Sequence, residues 1–167
     1  PWLPPPVAPA LASLFQSDPR WLGTARVMTL AGGCFWNMRP AMAAQAGVLT
    51  AVAGFTGGWA DAPTYADVCA GGTGHVEAVQ LAYDPAQTSF DTLLSAFWAS
   101  HDPCSLYRQG ADAGERYSPR VFTHSAAQLH AARQSRDRLQ AQLGRQVQTR
   151  VLPAEGRFWE AGPEHQR

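Results

Sequence analysis

The chain of 167 residues contains no lysine, and its 13 basic residues are all arginines scattered among 13 acidic ones. With a formal net charge of zero and no basic stripe, nucleic acid and anionic membrane surfaces are not expected as partners. No apolar run is long enough to cross a bilayer, and no charged-then-apolar signal segment precedes the domain. We therefore expect a globular chain that acts in the cytoplasm as a monomer.

Cysteine is scarce, with three residues at positions 34, 69 and 104 and no C-x-x-C pair. An odd number argues against a closed disulfide framework and is compatible with free thiols in a reducing compartment. A zinc site built from these cysteines with His75 and His101 stays open as an alternative, as part of a thiol-based zinc or redox-sensing module, although the paired spacing typical of such sites is missing.

Residues 1–22 are rich in proline and have no sustained periodicity, which predicts an extended arm or linker laid over the domain. Residues 23–167 are predicted to form one domain.

Strands are expected at 26–31, 48–55, 75–83, 120–123 and 147–152. Helices are expected at 35–45, at 89–100, and from Ser125, which is predicted to form a capping box with Gln128, to Gly144. The segments 56–74 and 101–118 are predicted to be long irregular loops, the first of them rich in glycine, and Pro40 to kink or shorten the first helix.

The order of these elements is β-α-β-β-α-β with an appended α-β. It predicts an α+β fold, a split β-α-β ferredoxin-like two-layer sandwich with its helices on one face of a largely antiparallel sheet.

Cys34 lies in the segment Gly-Gly-Cys-Phe-Trp at a predicted strand-to-helix turn. The first amide N–H groups of a helix have no intrahelical partner, so they favour a thiolate over a thiol. The glycines allow a sharp turn that leaves the sulfur uncovered. The alternative is that Cys34 is only a small buried hydrophobic residue.

Glu77 shares a strand face with Val79, Leu81 and Tyr83, the more apolar side of the predicted strand 75–83. Burial there would raise the pKa of its carboxyl group and make it a proton donor near neutral pH. The alternative is a solvated carboxylate at the strand end, or one paired with an arginine.

The two long loops supply Tyr65, Asp112 and Tyr117 as further candidates. Tyrosine hydroxyl groups donate hydrogen bonds to an oxygen atom without carrying charge. Taken singly, each is equally compatible with a half-buried aromatic or surface residue, so the prediction depends on the set.

Six segments occur in an order that resembles the peptide methionine sulfoxide reductase A family over roughly residues 26–165. The segments are Gly32-Gly-Cys-Phe-Trp36, Gly54-Phe-Thr-Gly-Gly58, Pro63-Thr-Tyr65 followed by Val68-Cys69, Gly74-His-Val-Glu-Ala-Val79, His101-Asp-Pro103 and Arg108-Gln-Gly-Ala-Asp112.

The resemblance implies thiol-dependent reduction of methionine S-sulfoxide, protein-bound or free, as a repair of oxidative damage. In this hypothesis Cys34 attacks the sulfoxide sulfur, and Glu77 protonates the oxygen, which must leave as water. Tyr65 and Tyr117 hydrogen-bond that oxygen, and Asp112 organises the site. Phe35 and Trp36 form an apolar wall against the substrate methyl group. The product on the chain is a Cys34 sulfenic acid, which a second thiol must reduce.

The resemblance implies no bound cofactor and no metal, with thioredoxin or another dithiol as the reductant. No cysteine follows Cys104, so reduction uses an external thiol directly, or else Cys104 or Cys69; of these two, Cys104 is the favoured internal resolving residue. Asn37, Pro40 and Ala111 depart from the family pattern. They favour the alternative of a degenerate relative that binds methionine or its sulfoxide without turnover.

Overall fold

The computed structural model describes residues 7–167, so the prolines at positions 4 to 6 of the predicted arm lie outside the described residues. The α-helices are α1 Pro9–Ser17, α2 Phe35–Ala43, α3 Tyr65–Ala70, α4 Phe90–Ser100 and α5 Ala126–Leu143. The strands are β1 Arg26–Ala31, β2 Val48–Thr56, β3 Val76–Tyr83, β4 Arg108–Gln109, β5 Asp112–Ala113, β6 Arg120–Thr123, β7 Arg150–Pro153 and β8 Trp159–Glu160. Short 3-10 turns lie at Pro19–Leu22, Glu115–Tyr117 and Pro163–His165.

The fold is mixed α and β around a six-stranded sheet with the order β7-β6-β1-β3-β2-β8. β6 and β7 are parallel, and the other neighbours in this sheet are antiparallel. The five predicted strands are present, although the last one begins at Arg150 rather than at residue 147. The two predicted loops contain structure of their own, because the first holds α3 and the second holds the β4–β5 hairpin.

Two apolar clusters lie on opposite faces of the sheet, because neighbouring residues of a strand point to opposite sides. The larger cluster includes Leu30, Leu81 and Phe97 under α2, α4 and α5. The smaller one joins strand residues such as Val52 and Ala78 to helix α1. Both faces of β3 are therefore covered, and all eight of its residues are buried.

The expectation of an extended arm is wrong for Pro9–Ser17, which forms α1, and the expectation of helices on one face is wrong for the same reason. Ala8, Leu11 and Phe15 follow one another at helical spacing and pack into the smaller cluster. The backbone N–H of Ala8 donates to Gln80 Oε1 at 2.6 Å and fixes the start of the helix on the sheet.

Helix α1 should contribute strongly to stability. Leu11 is fully buried, so Leu11→Ala should lower the free energy of unfolding by about 2–5 kcal/mol. Ser13 is exposed on the same helix, and Ser13→Ala should change this free energy by no more than about 0.5 kcal/mol. Urea denaturation of the two variants checks the difference, and equal midpoints would contradict the packing of α1.

The predicted helix ends are confirmed in part. Ser125 Oγ accepts the Gln128 N–H at the start of α5, and Gly144 closes this helix with φ +62°. The Gln128 side chain does not complete a capping box, because it accepts the N–H of His124 and donates to the carbonyl of Val27 on the sheet. Helix α2 continues through the exposed Pro40 to Ala43 and ends two residues earlier than predicted.

Candidate functional site

Cys34 lies between β1 and α2, at the residue immediately before the first turn of α2. Gly33 has φ +101°, a conformation that disfavours a side chain. A Cβ atom on Gly33 would come within 2.9 Å of the Gln109 side chain, and one on Gly32 within 2.9 Å of His101. The segment 101–110 therefore packs against this turn, while Cys34 stays partly exposed. The predicted strand-to-helix turn at Cys34 is present.

The electrostatic prediction for Cys34 is wrong for the substrate-free protein. Burial raises the pKa of its thiol, and the nearby charges of Glu77 and Asp112 raise it further. The N–H groups of Trp36 and Asn37 at the start of α2 lower the pKa, as the helix argument requires, but they are outweighed. Cys34 therefore rests as a thiol, and the groups around it must take up its proton when it reacts.

Glu77 lies on β3 opposite Phe55 of β2, on the face that carries the larger apolar cluster. It is 1% exposed, so the prediction of a buried carboxyl group is confirmed and the solvated alternative is wrong. The other alternative, pairing with an arginine, is present, because Arg116 Nε lies 3.4 Å from Glu77 Oε2. Oε1 accepts the backbone N–H of Phe35 at 3.2 Å. Burial raises the pKa of Glu77 to about 7, against the lowering effects of the Phe35 N–H, of Arg116 and of the Cys34 thiol.

The aromatic residues divide between the core and the surface. Phe35 is fully buried, with its ring centroid 5.5 Å from that of Phe55, so it lies beneath the site. Trp36 is 49% exposed and stacks on Tyr65 with ring centroids 5.8 Å apart. The ring of Tyr65 is also 6.1 Å from that of Phe35, since α3 starts at Tyr65 after the Thr64 capping box. Trp36 and Tyr65 thus form an exposed aromatic surface beside Cys34.

Asp112 and Tyr117 reach the same site from the second predicted loop. Asp112 lies on β5, and its charge raises the pKa of Cys34, Glu77 and Tyr117, which places it close to all three. Tyr117 is 4% exposed in the turn Glu115–Tyr117, and burial is the first cause of its raised pKa. Cys34, Glu77, Asp112, Tyr65 and Tyr117 therefore come together although they span five separate elements.

Arg116 was missed by the sequence reasoning. Its Nε atom is 3.4 Å from Glu77 Oε2, and its Nη2 atom donates to the Tyr117 hydroxyl at 2.9 Å. Nη1 donates to the carbonyl of Cys69 at 3.2 Å. The sequence allowed an arginine beside Glu77 but did not indicate which of the 13 it would be, since an arginine in a polar loop is ordinarily solvated.

His165 was also missed, because 129 positions separate it from its partner Trp36. The indole Nε1 of Trp36 donates to His165 Nδ1 at 2.9 Å, and the ring of His165 stacks on that of Tyr65 with centroids 4.5 Å apart. The next residue, Gln166, holds this segment on β2 by accepting the N–H of Ala53 and donating to its carbonyl.

His165 should hold the indole of Trp36 in place. His165→Phe keeps an aromatic ring but removes the acceptor, so the Trp36 indole N–H resonance in a ¹H–¹⁵N spectrum should move upfield. Trp36→Phe identifies that resonance. His130 is exposed on α5, and His130→Phe should leave it unmoved. An unchanged resonance in the His165 variant would contradict the hydrogen bond.

Cys69 and Cys104 differ in how they relate to the site. Both are partly buried free thiols. Cys69 lies on α3, where its thiol hydrogen-bonds to Tyr65 and contributes, after burial, to the raised pKa of that hydroxyl. Cys104 lies in the segment after α4, where its N–H donates to Asp102 and its side chain packs against the larger apolar cluster.

The geometry does not favour the zinc alternative. His75 accepts the N–H of Gly58 at Nδ1 and has the carbonyl of Ala60 at 2.7 Å from Nε2, so both ring nitrogens face backbone groups. Between residues 7 and 167, no group of three or more His, Cys, Asp or Glu side chains is arranged to hold a metal ion. None of the helices in the same range is both long and apolar enough to span a bilayer.

Comparison with known proteins gives a consistent result. A family model described as peptide methionine sulfoxide reductase matches residues 26–167. The peptide methionine sulfoxide reductase MsrA of Streptomyces griseus is 42% identical over 146 residues, which cover 84% of this chain and 66% of that relative. The enzyme of the same name from Geobacter metallireducens is 41% identical over 141 residues, which cover 83% of this chain and 86% of that relative.

The fold agrees with the same family. The crystal structure of Mxr1 from Saccharomyces cerevisiae in reduced form superimposes with a TM-score of 0.81 at 28% identity. The superposition covers 86% of this chain and 83% of that one. The chain therefore belongs to the peptide methionine sulfoxide reductase family.

Proposed function

We propose that this chain reduces methionine S-sulfoxide, protein-bound or free, to methionine, and so repairs oxidative damage. One observation carries the proposal: a partly exposed thiol at the start of α2 lies beside a buried carboxyl group that titrates near neutral pH. A nucleophile beside a proton donor whose pKa lies near neutral pH is what transfer of oxygen from a sulfoxide to a thiol requires.

In the first step, Cys34 is the nucleophile and Glu77 the general acid. The protonated Glu77 carboxyl group donates its proton to the sulfoxide oxygen as the Cys34 sulfur attacks the sulfoxide sulfur. The Glu77 carboxylate that results takes up the proton of the Cys34 thiol. The step is complete when the oxygen is on Cys34 as a sulfenic acid and the substrate leaves as a thioether. One thiol and one sulfoxide thus become one sulfenic acid and one thioether, with no atom or electron left over.

The remaining site residues stabilise this step. The Tyr65 and Tyr117 hydroxyl groups donate to the oxygen as charge develops on it, and Asp112 helps to keep the Glu77 carboxyl protonated by its negative charge. The substrate methyl group lies against the exposed ring of Trp36, and Phe35 supports this apolar wall from beneath the site.

For the second step we favour an external dithiol, thioredoxin or a similar reductant, with no bound cofactor. Two thiols convert the sulfenic acid back to a thiol and release the oxygen as water. As an internal resolving residue, the contacts favour Cys69 over Cys104, because Cys69 hydrogen-bonds to Tyr65 of the site. Mass spectrometry of the protein after one turnover, compared with Cys69→Ser and Cys104→Ser, identifies any disulfide with Cys34.

The domain proposal keeps residues 23–167 as one catalytic domain with a ferredoxin-like core made of β6, β1, β3 and β2. The N-terminal segment precedes this domain in the chain, and its helix α1 packs on the sheet. The free thiols fit a reducing compartment such as the cytoplasm. Among residues 7–167 the exposed large hydrophobic side chains are Trp36, Trp59, Tyr107 and Leu143, few enough for a monomer, which light scattering tests.

The decisive experiment is turnover of each sulfoxide epimer with dithiothreitol. The proposal expects methionine from the S epimer alone. Binding of the sulfoxide without methionine formation would instead support the degenerate relative. The three departures from the family pattern do not disturb the core, because Asn37, Pro40 and Ala111 are all exposed residues.

A further inference from the structure

We propose that Arg116 is a positioning residue for the reduction of the sulfoxide, which orients the Tyr117 hydroxyl toward the substrate oxygen and adjusts the charge of Glu77. The inference rests on the proposed function, since it assigns a role within the same site. It adds a residue that neither touches the reacting atoms nor belongs to the motifs that carry the family resemblance.

The guanidinium group of Arg116 is held by three separate elements. Its nitrogen atoms reach the Cys69 carbonyl on α3, the Tyr117 hydroxyl in its own turn and the Glu77 carboxylate on β3. Its carbon Cζ also lies 4.5 Å from the centroid of the Tyr117 ring. A planar fork of five donors suits these three directions, whereas a single ammonium group does not.

The bond from Arg116 determines where the Tyr117 proton can go. A guanidinium group only donates, so the Tyr117 oxygen must accept in the 2.9 Å bond from Nη2. The hydroxyl proton of Tyr117 is therefore left for another acceptor. In the proposed reaction that acceptor is the sulfoxide oxygen, so Arg116 selects the donor orientation before the substrate binds.

Arg116 also acts on Glu77. Among the described residues, Oε2 of Glu77 accepts no hydrogen bond, and the Nε atom of Arg116 faces it at 3.4 Å. The charged or titratable groups that face Glu77 are Cys34 from the start of α2, Arg116 and Tyr117 from the turn, Asp112 from β5 and Tyr65 from α3. Arg116 is the one cation of this set and favours the carboxylate, so its removal should raise the pKa of Glu77.

The test is the pH dependence of a single turnover of methionine sulfoxide without reductant, for wild type, Arg116→Met and Arg116→Lys. The Met variant should react about tenfold more slowly at pH 6, the effect of one misplaced hydrogen bond. Its decline in rate with rising pH should lie about one pH unit higher than in wild type. The Lys variant keeps the positive charge, so its rate should decline with rising pH over nearly the same pH range as that of wild type. Its rate at pH 6 should still be lower than that of wild type.

Two comparisons separate positioning from general damage. Arg133 is exposed on α5, and Arg133→Met should match wild type in rate and pH profile. In a Tyr117→Phe background, Arg116→Met should lower the rate at pH 6 only slightly further. It should still shift the decline in rate to higher pH, because the effect on rate acts through Tyr117 and the effect on pH dependence acts through Glu77. Circular dichroism checks the fold of each variant. If the Met variant does not fold, the rate of the Lys variant tests the orientation of Tyr117.

The proposal is overturned if Arg116→Met keeps the wild-type rate and pH profile, or if it slows the Tyr117→Phe protein as much as the wild type. A wild-type protein that forms no methionine would instead remove the proposed function itself. The two failures are therefore distinct.

Discussion

Replacing Cys34 by serine should abolish methionine formation while leaving the fold intact. A hydroxyl group is a far weaker nucleophile than a thiol and cannot form a sulfenic acid. In a single turnover without reductant, wild type should yield about one methionine per chain, whereas Cys34→Ser should yield none. Because Cys34 is partly exposed, the free energy of unfolding should change by no more than about 0.5 kcal/mol.

Cys104→Ser is the matched control for this variant. It removes a partly buried thiol in a neighbouring segment, and it should still yield one methionine in the same single turnover, since resolution comes after that step. Methionine formation by the Cys34 variant at a rate comparable to that of Cys104→Ser would mean that another residue is the nucleophile.

Replacing Glu77 by glutamine should slow the single turnover by about 10²–10⁴-fold at pH 6, the range for loss of a general acid. Glutamine has the shape of glutamate and can still accept the Phe35 N–H, but it has no proton to transfer. Glu155→Gln, at an exposed position, is the control and should react like wild type. Quenched-flow measurement of methionine formation compares the two variants with wild type. An unchanged rate in Glu77→Gln would mean that another residue is the general acid.

The pH dependence follows from the pKa of Glu77, which burial raises to about 7. The carboxyl group is the donor only while it is protonated, so the wild-type rate should be high below pH 7 and should decline as the pH rises through that value. The Glu77→Gln variant should lack this decline, and its deficit should be smallest at low pH, where the solvent supplies protons.

The Glu77→Gln variant also distinguishes two roles of Glu77, proton donation to the substrate and the electrostatic effect on the Cys34 thiol. The charge of Glu77 raises the pKa of Cys34, so its removal should lower that pKa and speed alkylation of Cys34 at pH 7. Glu77→Gln is thus expected to make the thiol more reactive toward an alkylating reagent and less competent toward the sulfoxide. Unfolding would also expose the thiol and stop turnover, so a circular dichroism spectrum identical to that of wild type is the control for this comparison.

Several features of the fold and site followed from the sequence because they depend on neighbouring residues. The period of two in β3 assigned Glu77 to the apolar face, and the sheet buries that face as expected. The glycines before Cys34 predicted the turn, and Ser125 and Gly144 predicted the ends of α5. Such local steric and hydrogen-bonding rules act over a few residues and can be applied to any chain.

Other features depended on which segments the tertiary structure brings together. Prolines in the sequence hid helix α1, whose packing on the second face of the sheet stabilises it. Cys34 has a raised pKa because burial and two carboxylates, from β3 and β5, outweigh the helix amides that the sequence did predict.

Arg116 and His165 became site residues for the same reason. One hydrogen bond joins His165 to Trp36 across 129 positions of the chain, and Arg116 contacts Glu77 from a different element. The sequence alone determined the reactive thiol, the carboxyl group and the core that carries them. The tertiary structure decided how those groups share their protons, because burial and charge depend on distances in space rather than on separation along the chain.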